Sequence, residues 1–285
     1  MYPEQRYVYY DRDLEIEAYH LKGVVQKFPN HFHEFYVIGF IEGGKRQLWC
    51  KGKEYTLTAG DLVLFNPRDN HYCAPMGEES LDYRAANISV KAMQKAVKEI
   101  TGRQYQPYFL QNVVYQSDIT PFIGALYNAI LTRAPKMEKE EAFFFMLERV
   151  LREYAVPFEE ADIMEPDQQI KNLCRYMEEH FSENITLDEL LCMTSFGKSY
   201  LLRSFTKQTG VSPYRYLQTV RLEKAKTFLE KGIMPVQAAV MAGFSDQSHF
   251  TNSFKSFTGL TPKQYQKSFG FSNEAGEIEK EGPSQ

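Results

Sequence analysis

The sequence has few cysteines, and none of its apolar runs is long. Four cysteines (Cys50, Cys73, Cys174 and Cys192) are widely spaced, which disfavours a zinc-ligand cluster or a dense disulfide framework and favours reduced thiols in or near cores. No apolar run approaches the roughly 20 residues of a membrane helix. The first residues have no basic start followed by an apolar segment and no small-residue cleavage site. We therefore expect a cytoplasmic protein without membrane association.

The length and the distribution of charge suggest more than one domain. The chain has 285 residues, and a single domain usually takes on the order of 100–200. Residues 1–165 contain 19 Lys and Arg against 24 Asp and Glu, residues 166–270 contain 13 against 9, and residues 271–285 contain 1 against 4. A basic segment between acidic ones suits a domain that contacts phosphates.

The last third of the sequence contains an internal repeat. Residues 205–216 recur as residues 254–265, at an offset of 49 residues. A phenylalanine, a Thr-Gly pair, a hydroxyl residue, a proline and a tyrosine all return in register. Helix pairs occur in any helical bundle, but a bundle has no need to repeat a unit in this way. We therefore expect two copies of one structural unit.

The first copy predicts two helices joined by a tight turn. Thr186 and Glu189 have the spacing of a capping box ahead of a short helix that ends near Met193. A second helix is expected over about 198–208, and Gly210 stops it.

The second copy predicts the same arrangement. Pro235 opens a helix, Gly243 makes the turn, and a second helix over 246–257 ends at Gly259. Apolar spacing over 220–231 predicts a rigid helix that links the two copies. Such a link would hold two DNA-reading helices at a fixed separation.

A helix pair whose second member exposes polar residues is the helix-turn-helix motif, which places that second helix in the DNA major groove. Residues 168–270 resemble the paired helix-turn-helix domain of the AraC/XylS family. The resemblance is clearest in Ala-Gly-Phe-Ser-Asp-Gln-Ser-His-Phe at 242–250, followed by Phe254-Lys255 and by Thr258-Gly-Leu-Thr-Pro262. It implies a sequence-specific transcription regulator, expected to be an activator, that binds double-stranded promoter DNA and has RNA polymerase as a further candidate partner.

The resemblance also implies which side chains meet DNA. They are Lys198, Ser199, Tyr200, Leu202 and Arg203 in the first copy, and Gln247, Ser248, His249 and Asn252 in the second. 

Within this set, Arg203 is the strongest base reader, because a guanidinium can contact a guanine edge through two hydrogen bonds. Leu202 fits a thymine methyl contact or partial burial equally well. Asn252 stands where the family commonly has arginine, which either shifts recognition toward adenine or leaves base reading by the second copy in doubt. Asp246 is expected to cap its helix.

Residues 1–90 show short aromatic and β-branched runs separated by Gly-containing turns, a pattern typical of a sandwich or barrel. The pattern formed by His31 and His33, Gly60-Asp61, Pro67 and His71 resembles the cupin barrel that the AraC/XylS family often carries at its N-terminus. The resemblance implies that residues 1–90 form a ligand-sensing barrel.

Three histidines in a barrel mouth raise the question of a metal. Cupin enzymes combine His-X-His with a glutamate and a later histidine, but Val37 and Ile38 occupy the positions four and five beyond His33. Glu34 and Glu42 are out of that spacing. We therefore expect no metal and no cofactor.

In place of a metal we expect a small-molecule effector, contacted by a set of polar and aromatic side chains: His31, His33, Tyr36, His71 and Arg84. Four alternatives stay open. His31 and His71 would simply satisfy buried partners, and Arg84 would form a surface salt bridge. The chain would be a cupin metalloenzyme with an appended helical domain, or a DNA-binding architectural protein without a ligand.

Helical periodicity returns after the barrel, over 90–103, 118–133 and 138–155. The expected fold is an N-terminal cupin-like β-barrel with added helices and a C-terminal all-α domain with two helix-turn-helix motifs. The expected divisions are a barrel (1–90), a helical packing and dimerisation region (91–156), an acidic linker (157–167), a DNA-binding domain (168–270) and a disordered tail (271–285). In this family such added helices commonly pair two subunits, so the resemblance implies a homodimer.

Overall fold

The computed structural model describes residues 4–158 and 167–270. The acidic residues of the expected linker (Glu159, Glu160, Asp162 and Glu165) and the expected tail lie outside the described residues. None of the helices in the described ranges has the length and apolar character needed to cross a membrane.

The strands lie in the first 158 residues. In chain order they are β1 (Gln5–Asp11), β2 (Ile16–Val24), β3 (Phe28–His31), β4 (Phe35–Gly43), β5 (Arg46–Cys50), β6 (Lys53–Leu57), β7 (Leu62–Phe65), β8 (His71–Pro75), β9 (Leu81–Ser89), β10 (Pro107–Phe109), β11 (Val113–Val114) and β12 (Ala155–Pro157).

Two larger sheets form the sheet domain. Among the described residues, one has six strands in the order β1-β2-β9-β4-β7-β11 and the other has four in the order β3-β8-β5-β6, while β10 and β12 pair separately. The two larger sheets share one core, because Val37 and Val63 of the first sheet and Leu48 of the second belong to the same buried cluster. The expected β-rich N-terminal fold is confirmed.

Three helices pack on the outer face of the six-stranded sheet: α1 (Val90–Thr101), α2 (Thr120–Leu131) and α3 (Lys136–Tyr154). Their buried residues, such as Met93, Ile123 and Met146, form a second core with Ile38 and Ile88 of the sheet. Since successive strand residues point to opposite faces, one sheet serves both cores. The expected packing of these helices on the sheet is confirmed.

The remaining helices form the C-terminal helical region. They are α4 (Gln168–Glu179), α5 (Leu187–Cys192), α6 (Lys198–Thr209), α7 (Pro213–Glu230), α8 (Pro235–Met241), α9 (Gln247–Thr258) and α10 (Pro262–Lys267). Helices α5 and α6 make up unit 1, and α8 and α9 make up unit 2.

Both units end their second helix in the expected way. Gly210 and Gly259 take up left-handed backbone conformations, with φ of 76° and 84°, and each N–H closes the last helical turn. The predicted capping box of Thr186 and Glu189 is present at the start of α5. The two predicted helix-turn-helix units are confirmed.

The linking helix α7 is longer than the apolar spacing over 220–231 predicted. It begins at Pro213, because Ser212 caps it by accepting a hydrogen bond from the Arg215 N–H and proline suits the first helical position. Its 18 residues span about 27 Å at 1.5 Å per residue. The predicted start missed this Ser-Pro signal.

The four cysteines are free thiols, as expected. Cys50 is buried and Cys73 and Cys174 are partly buried, but Cys192 is exposed. The expectation that all four lie in or near cores is therefore wrong for Cys192, which ends the short helix α5 on its solvent side.

Candidate functional site

The outward face of α6 presents every side chain expected from the first copy to meet DNA. Leu201 and Phe205 point inward and are fully buried, while the candidate residues Lys198, Ser199, Tyr200, Leu202 and Arg203 are exposed. Within the described part of the chain, the Arg203 guanidinium has no hydrogen-bond or ion-pair partner. It is therefore available to a nucleic acid.

Helix α9 presents Gln247, Ser248, His249 and Asn252 to solvent and buries Phe250 and Phe254. Asp246 caps this helix, because its carboxylate accepts hydrogen bonds from the backbone N–H groups of Ser248 (3.1 Å) and His249 (2.9 Å). 

These two bonds lower the pKa of the Asp246 carboxyl. Its assignment as a cap rather than a base reader agrees with this geometry.

Helix α9 faces the sheet domain across an open cleft. His249 and Asn252 line one wall of this cleft, Tyr214 and Arg215 at the start of α7 line a second, and Asn30 lies on the β3 side. The proposed base-reading edge of unit 2 therefore adjoins the sheet domain in this arrangement, whereas the α6 face is open.

A cavity of about 120 Å³ lies between the two sheets and the helical region. Most of its wall is apolar, including Leu21, Leu48 and Tyr83 from the sheets. The helical region closes it with three further residues: Lys226 of α7 and Phe257 and Thr258 of α9. One cavity is thus built jointly by the sheet domain and by the last turn of the second recognition helix.

The three histidines predicted to contact a ligand meet in the wall of this cavity. His31 and His71 are opposite partners on β3 and β8, and His33 follows two residues after His31. One ring nitrogen from each lies within 4.8 Å of the other two, and His31 Nε2 is 3.1 Å from His33 Nε2.

Burial lowers the pKa of all three imidazoles. The pKa of His71 falls to about 4, and those of His31 and His33 fall well below the ordinary value, further depressed by the neighbouring imidazoles. The cluster is therefore uncharged at neutral pH.

Tyr36 and Arg84 lie on the other face of the six-stranded sheet, away from the cavity. Tyr36 is fully buried among α1–α3 and donates a hydrogen bond to the Pro107 carbonyl (2.7 Å). Arg84 pairs with Glu42 at 2.8 Å. Their neighbours in sequence line the cavity, so the alternation of side chains along β4 and β9 accounts for both placements.

A buried charged network joins α7 and α10 to β2. Lys226 Nζ lies 3.5 Å from Glu17 Oε2 and 4.2 Å from the centre of the Phe35 ring. The Tyr265 hydroxyl is hydrogen-bonded to the carboxyl groups of both Glu17 and Glu230. Burial disfavours the charge on Lys226, but the surrounding carboxylates outweigh it and raise its pKa.

Sequence reasoning missed the residues that α7 and α9 contribute to the cavity. A signal existed for Lys226, because it occupies the apolar face of α7, four residues after Leu222 and three before Leu229. A lysine on a buried helix face requires a partner from another element. Nothing local marked Phe257 or Thr258, which fit the core pattern of α9.

Comparisons with known proteins agree with this architecture. Residues 13–148 match the family described as AraC-like ligand binding domain, and residues 192–268 match a helix-turn-helix domain family. The HTH-type transcriptional regulator YbfI of Bacillus subtilis (strain 168) is 47% identical over 249 residues, covering 87% of this chain and 90% of YbfI. The HTH-type transcriptional activator RhaS of Citrobacter koseri is 24% identical over 243 residues, covering 83% of this chain and 86% of RhaS.

Solved structures share the two-part fold. Apo ToxT from Vibrio cholerae aligns with a TM-score of 0.55 at 17% identity, covering 90% of this chain and 97% of ToxT. ToxT with bound unsaturated fatty acid aligns with a TM-score of 0.53 at 16% identity, covering 96% of this chain and 100% of ToxT. At this identity the likeness shows the fold. Since the ligand-binding and helix-turn-helix families match in order and a relative is nearly half identical over most of both chains, the chain belongs to the AraC/XylS family of transcription regulators.

Proposed function

We propose that this regulator is controlled by a small-molecule effector that binds in the cavity between the two sheets, α7 and α9. The observation that carries the proposal is the shared wall: Phe257 and Thr258 belong to the second recognition helix and also line the cavity. An effector that changes the position of this wall changes the position of α9. A ligand can shift affinity for DNA only through unequal binding to two such arrangements.

The chemistry of the wall favours an effector with an apolar body and one anionic end. The wall is largely aliphatic and aromatic, and Lys226 is its charged residue. ToxT structures contain an unsaturated fatty acid and a naphthalenyl butenoic acid. At about 120 Å³ the cavity is smaller than the roughly 300–1,000 Å³ of a drug-sized site. An effector of that size would enlarge it by displacing α7 and α9.

The DNA surface comprises the exposed faces of α6 and α9. Arg203 is proposed to read a base edge and Lys198 to contact phosphate, with Ser199, Tyr200 and Leu202 beside them. In unit 2 the contacts fall to Gln247, Ser248, His249 and Asn252. With α7 about 27 Å long, the two helices are suited to neighbouring turns of the major groove, about 34 Å apart.

A homodimer through residues 91–156 would double these contacts. Helix α3 exposes Phe145 and Met137 to solvent, and these side chains are suited to a subunit interface. We assign the domains as the sequence suggested, with a sensing part (1–90), the dimerisation helices, a linker (157–167) and the DNA-binding part (168–270). The regulator is proposed to act in the cytoplasm as an activator with RNA polymerase, and to catalyse no reaction.

Titration of promoter DNA with the full-length protein, with and without long-chain fatty acids and aryl carboxylic acids at fixed salt, tests the effector site. Ala85→Leu fills the cavity and should abolish the response while leaving effector-free DNA affinity unchanged. Ala59→Leu adds the same volume on an exposed turn and should respond like the parent. A full response in Ala85→Leu would place the effector elsewhere, and a parent that responds to no compound of this class would refute the proposed chemistry.

A further inference from the structure

We propose that His31, His33 and His71 bind one divalent first-row transition-metal ion, with zinc preferred, and that Glu223 of α7 orients His33 for this role. The three residues are half of the six histidines in the chain. The cluster lies in the wall of the proposed effector cavity, but the inference does not rest on the effector or on DNA binding.

The first support is the hydrogen bonding of the far side of each ring. His71 Nδ1 lies 2.9 Å from the Asp69 carbonyl oxygen, and His31 Nδ1 bonds the Pro29 carbonyl oxygen. A carbonyl oxygen only accepts, so both Nδ1 atoms carry the proton and leave the lone pair on Nε2. Metal-binding histidines are fixed in the same way by a second hydrogen bond.

The third histidine is fixed from the helical region. His33 Nδ1 lies 3.3 Å from Glu223 Oε1, across 190 residues of sequence. A carboxylate that accepts from the Nδ1–H of a ligating histidine orients the ring and makes it more basic. Glu223 therefore has the position of an orienting partner and not of a ligand.

The spacing of the free nitrogens is the second support. His31 Nε2 and His33 Nε2 are 3.1 Å apart, which is a hydrogen-bond distance when no ion is present. Two nitrogens at 2.0–2.1 Å from a tetrahedral zinc are separated by about 3.3 Å. The observed spacing is therefore close to that of two ligands of one ion. The third ring nitrogen is within 4.8 Å, so a small side-chain rotation completes the set.

Aromatic rings and a hydrogen-bonded loop surround the cluster. Each imidazole has an aromatic neighbour. Between ring centroids, Phe65 lies 4.0 Å from His71 and Phe35 lies 4.6 Å from His33, both stacked. Phe257 of α9 lies 4.8 Å from His31. The loop that holds His71 is fixed by Asp69, whose carboxylate accepts three hydrogen bonds from Asn66 and Asn112. These contacts hold the three rings beside one another.

The sequence pattern argued against a metal because Val37 and Ile38 occupy the strand positions expected for a glutamate. The structure changes this argument, since three imidazoles whose ring nitrogens lie within 4.8 Å of one another match the three-histidine ligand set of some zinc sites. The carboxylate comes from α7 instead, and it acts through His33. A bound ion would therefore also strengthen the contact between the sheet domain and the helical region.

The test uses the untagged full-length protein, stripped with a chelator and titrated with Co²⁺ and then Zn²⁺. We expect one ion per chain, visible ligand-field absorption of a low-coordinate cobalt site with nitrogen ligands, and displacement by zinc. His33→Gln and His71→Gln should lose the site. His20→Gln alters a partly buried histidine outside the cluster and should bind like the parent. Glu223→Gln should keep one site per chain but weaken it by about 10- to 100-fold.

Circular dichroism identifies the variants that fold. A folded parent that takes up no ion at micromolar metal overturns the inference, as does equal uptake by the parent and the folded histidine variants. If the histidine variants fail to fold, Glu223→Gln decides. Unchanged cobalt affinity and an unchanged spectrum in that variant overturn the proposed arrangement, and weaker binding with an altered spectrum supports it.

Discussion

Units 1 and 2 share a repeated sequence, but they relate to the sheet domain differently. The core of unit 1, around Leu201 and Phe205, forms a cluster within the helical region to which the sheet domain adds Phe32. The core of unit 2, around Phe250 and Phe254, is continuous with the core between the two sheets. The repeat therefore accounts for how each unit folds, whereas docking depends on positions at which the two copies differ, such as Phe257, where the first copy has Gln208.

The recognition helices of the two units also differ in the charge that they present to DNA. Helix α6 carries Lys198 and Arg203, whereas the matching positions of α9, 49 residues later, are Gln247 and Asn252. Positive side chains supply most of the non-specific attraction to DNA. We infer that unit 1 is the constant DNA contact and that unit 2, which lines the proposed effector cavity, is the regulated one.

The largest effects are expected from the matched core substitutions Phe205→Ala and Phe254→Ala. Both rings are fully buried, so each change should cost about 3–5 kcal/mol. The single tryptophan, Trp49, lies on β5 in the sheet domain and reports unfolding there. Trp49 fluorescence should detect the loss of stability in Phe254→Ala but not in Phe205→Ala. In Phe205→Ala the loss of stability should appear only in circular dichroism.

Equal shifts of the Trp49 transition in both variants would show that the two units are coupled to the sheet domain to the same extent. That result would remove the distinction between a constant and a regulated unit.

The second prediction concerns the DNA contacts of the two units. Arg203→Ala should weaken specific binding by about 1–3 kcal/mol with or without effector, because α6 is open to solvent in this arrangement. Asn252→Ala should weaken it only when effector is present. Fluorescence anisotropy on operator and random DNA measures both. Equal losses on the two DNAs would assign Arg203 to phosphate contact, and an effector-independent loss for Asn252 would contradict its regulated role.

The third prediction concerns a variant in which unit 2 is held less tightly against the sheet domain. The Gln26 side-chain amide donates to the carbonyls of Lys255 (3.2 Å) and Ser256 (3.1 Å) in the last turn of α9. Both bonds use the same Gln26 Nε2, so we count them as one bond with a net contribution of about 0.5–1.5 kcal/mol. Gln26→Ala should therefore raise effector-free DNA affinity by roughly 2- to 10-fold. Gln47→Ala, which removes an exposed bond to Glu54 at 2.6 Å, is the matched control and should leave affinity unchanged.

Local signals predicted the elements of this fold well. Capping residues and glycines located α5, α6, α8 and α9, because these signals act within a few residues of the helix end. The start of α7 was missed although the N-cap Ser212 and the first helical residue Pro213 indicate it. The added helices α1–α3 followed from their apolar stripes.

The candidate site was only partly predictable, because its residues come together through docking of distant elements. The pattern around His31, His33 and His71 identified three residues that do meet. It also grouped them with Tyr36 and Arg84, which lie on the other face of the six-stranded sheet, since short runs do not show which face of a strand is turned inward. Glu223 reaches the cluster only through the packing of α7, which no local pattern contains.

The fourth prediction concerns the cap of α9 and its dependence on pH. The hydrogen bonds from Ser248 and His249 hold the pKa of Asp246 below its ordinary value of 3.8. A depressed folded-state pKa gives stabilisation that is present above the ordinary value and is lost as the pH falls through the folded value. Asp246→Asn keeps a cap without a titrating group, so its melting temperature should match the parent at neutral pH and exceed it in acid. Parallel melting curves at every pH would rule out this role for the carboxylate.

The smallest effect is expected at Gly197, the counterpart of Asp246 at the 49-residue offset. Gly197 begins α6 without a side-chain cap, its φ of −77° and ψ of 155° suit serine, and no atom outside its immediate neighbours lies within 4 Å of an added Cβ. Gly197→Ser should therefore give unit 1 the kind of cap that unit 2 has and stabilise it by a few tenths of a kcal/mol, with no pH dependence. Gly197→Ala adds the same Cβ without the oxygen and should destabilise. Chemical denaturation followed by circular dichroism measures both, and a gain shared by the two variants would show that capping is not what distinguishes the starts of α6 and α9.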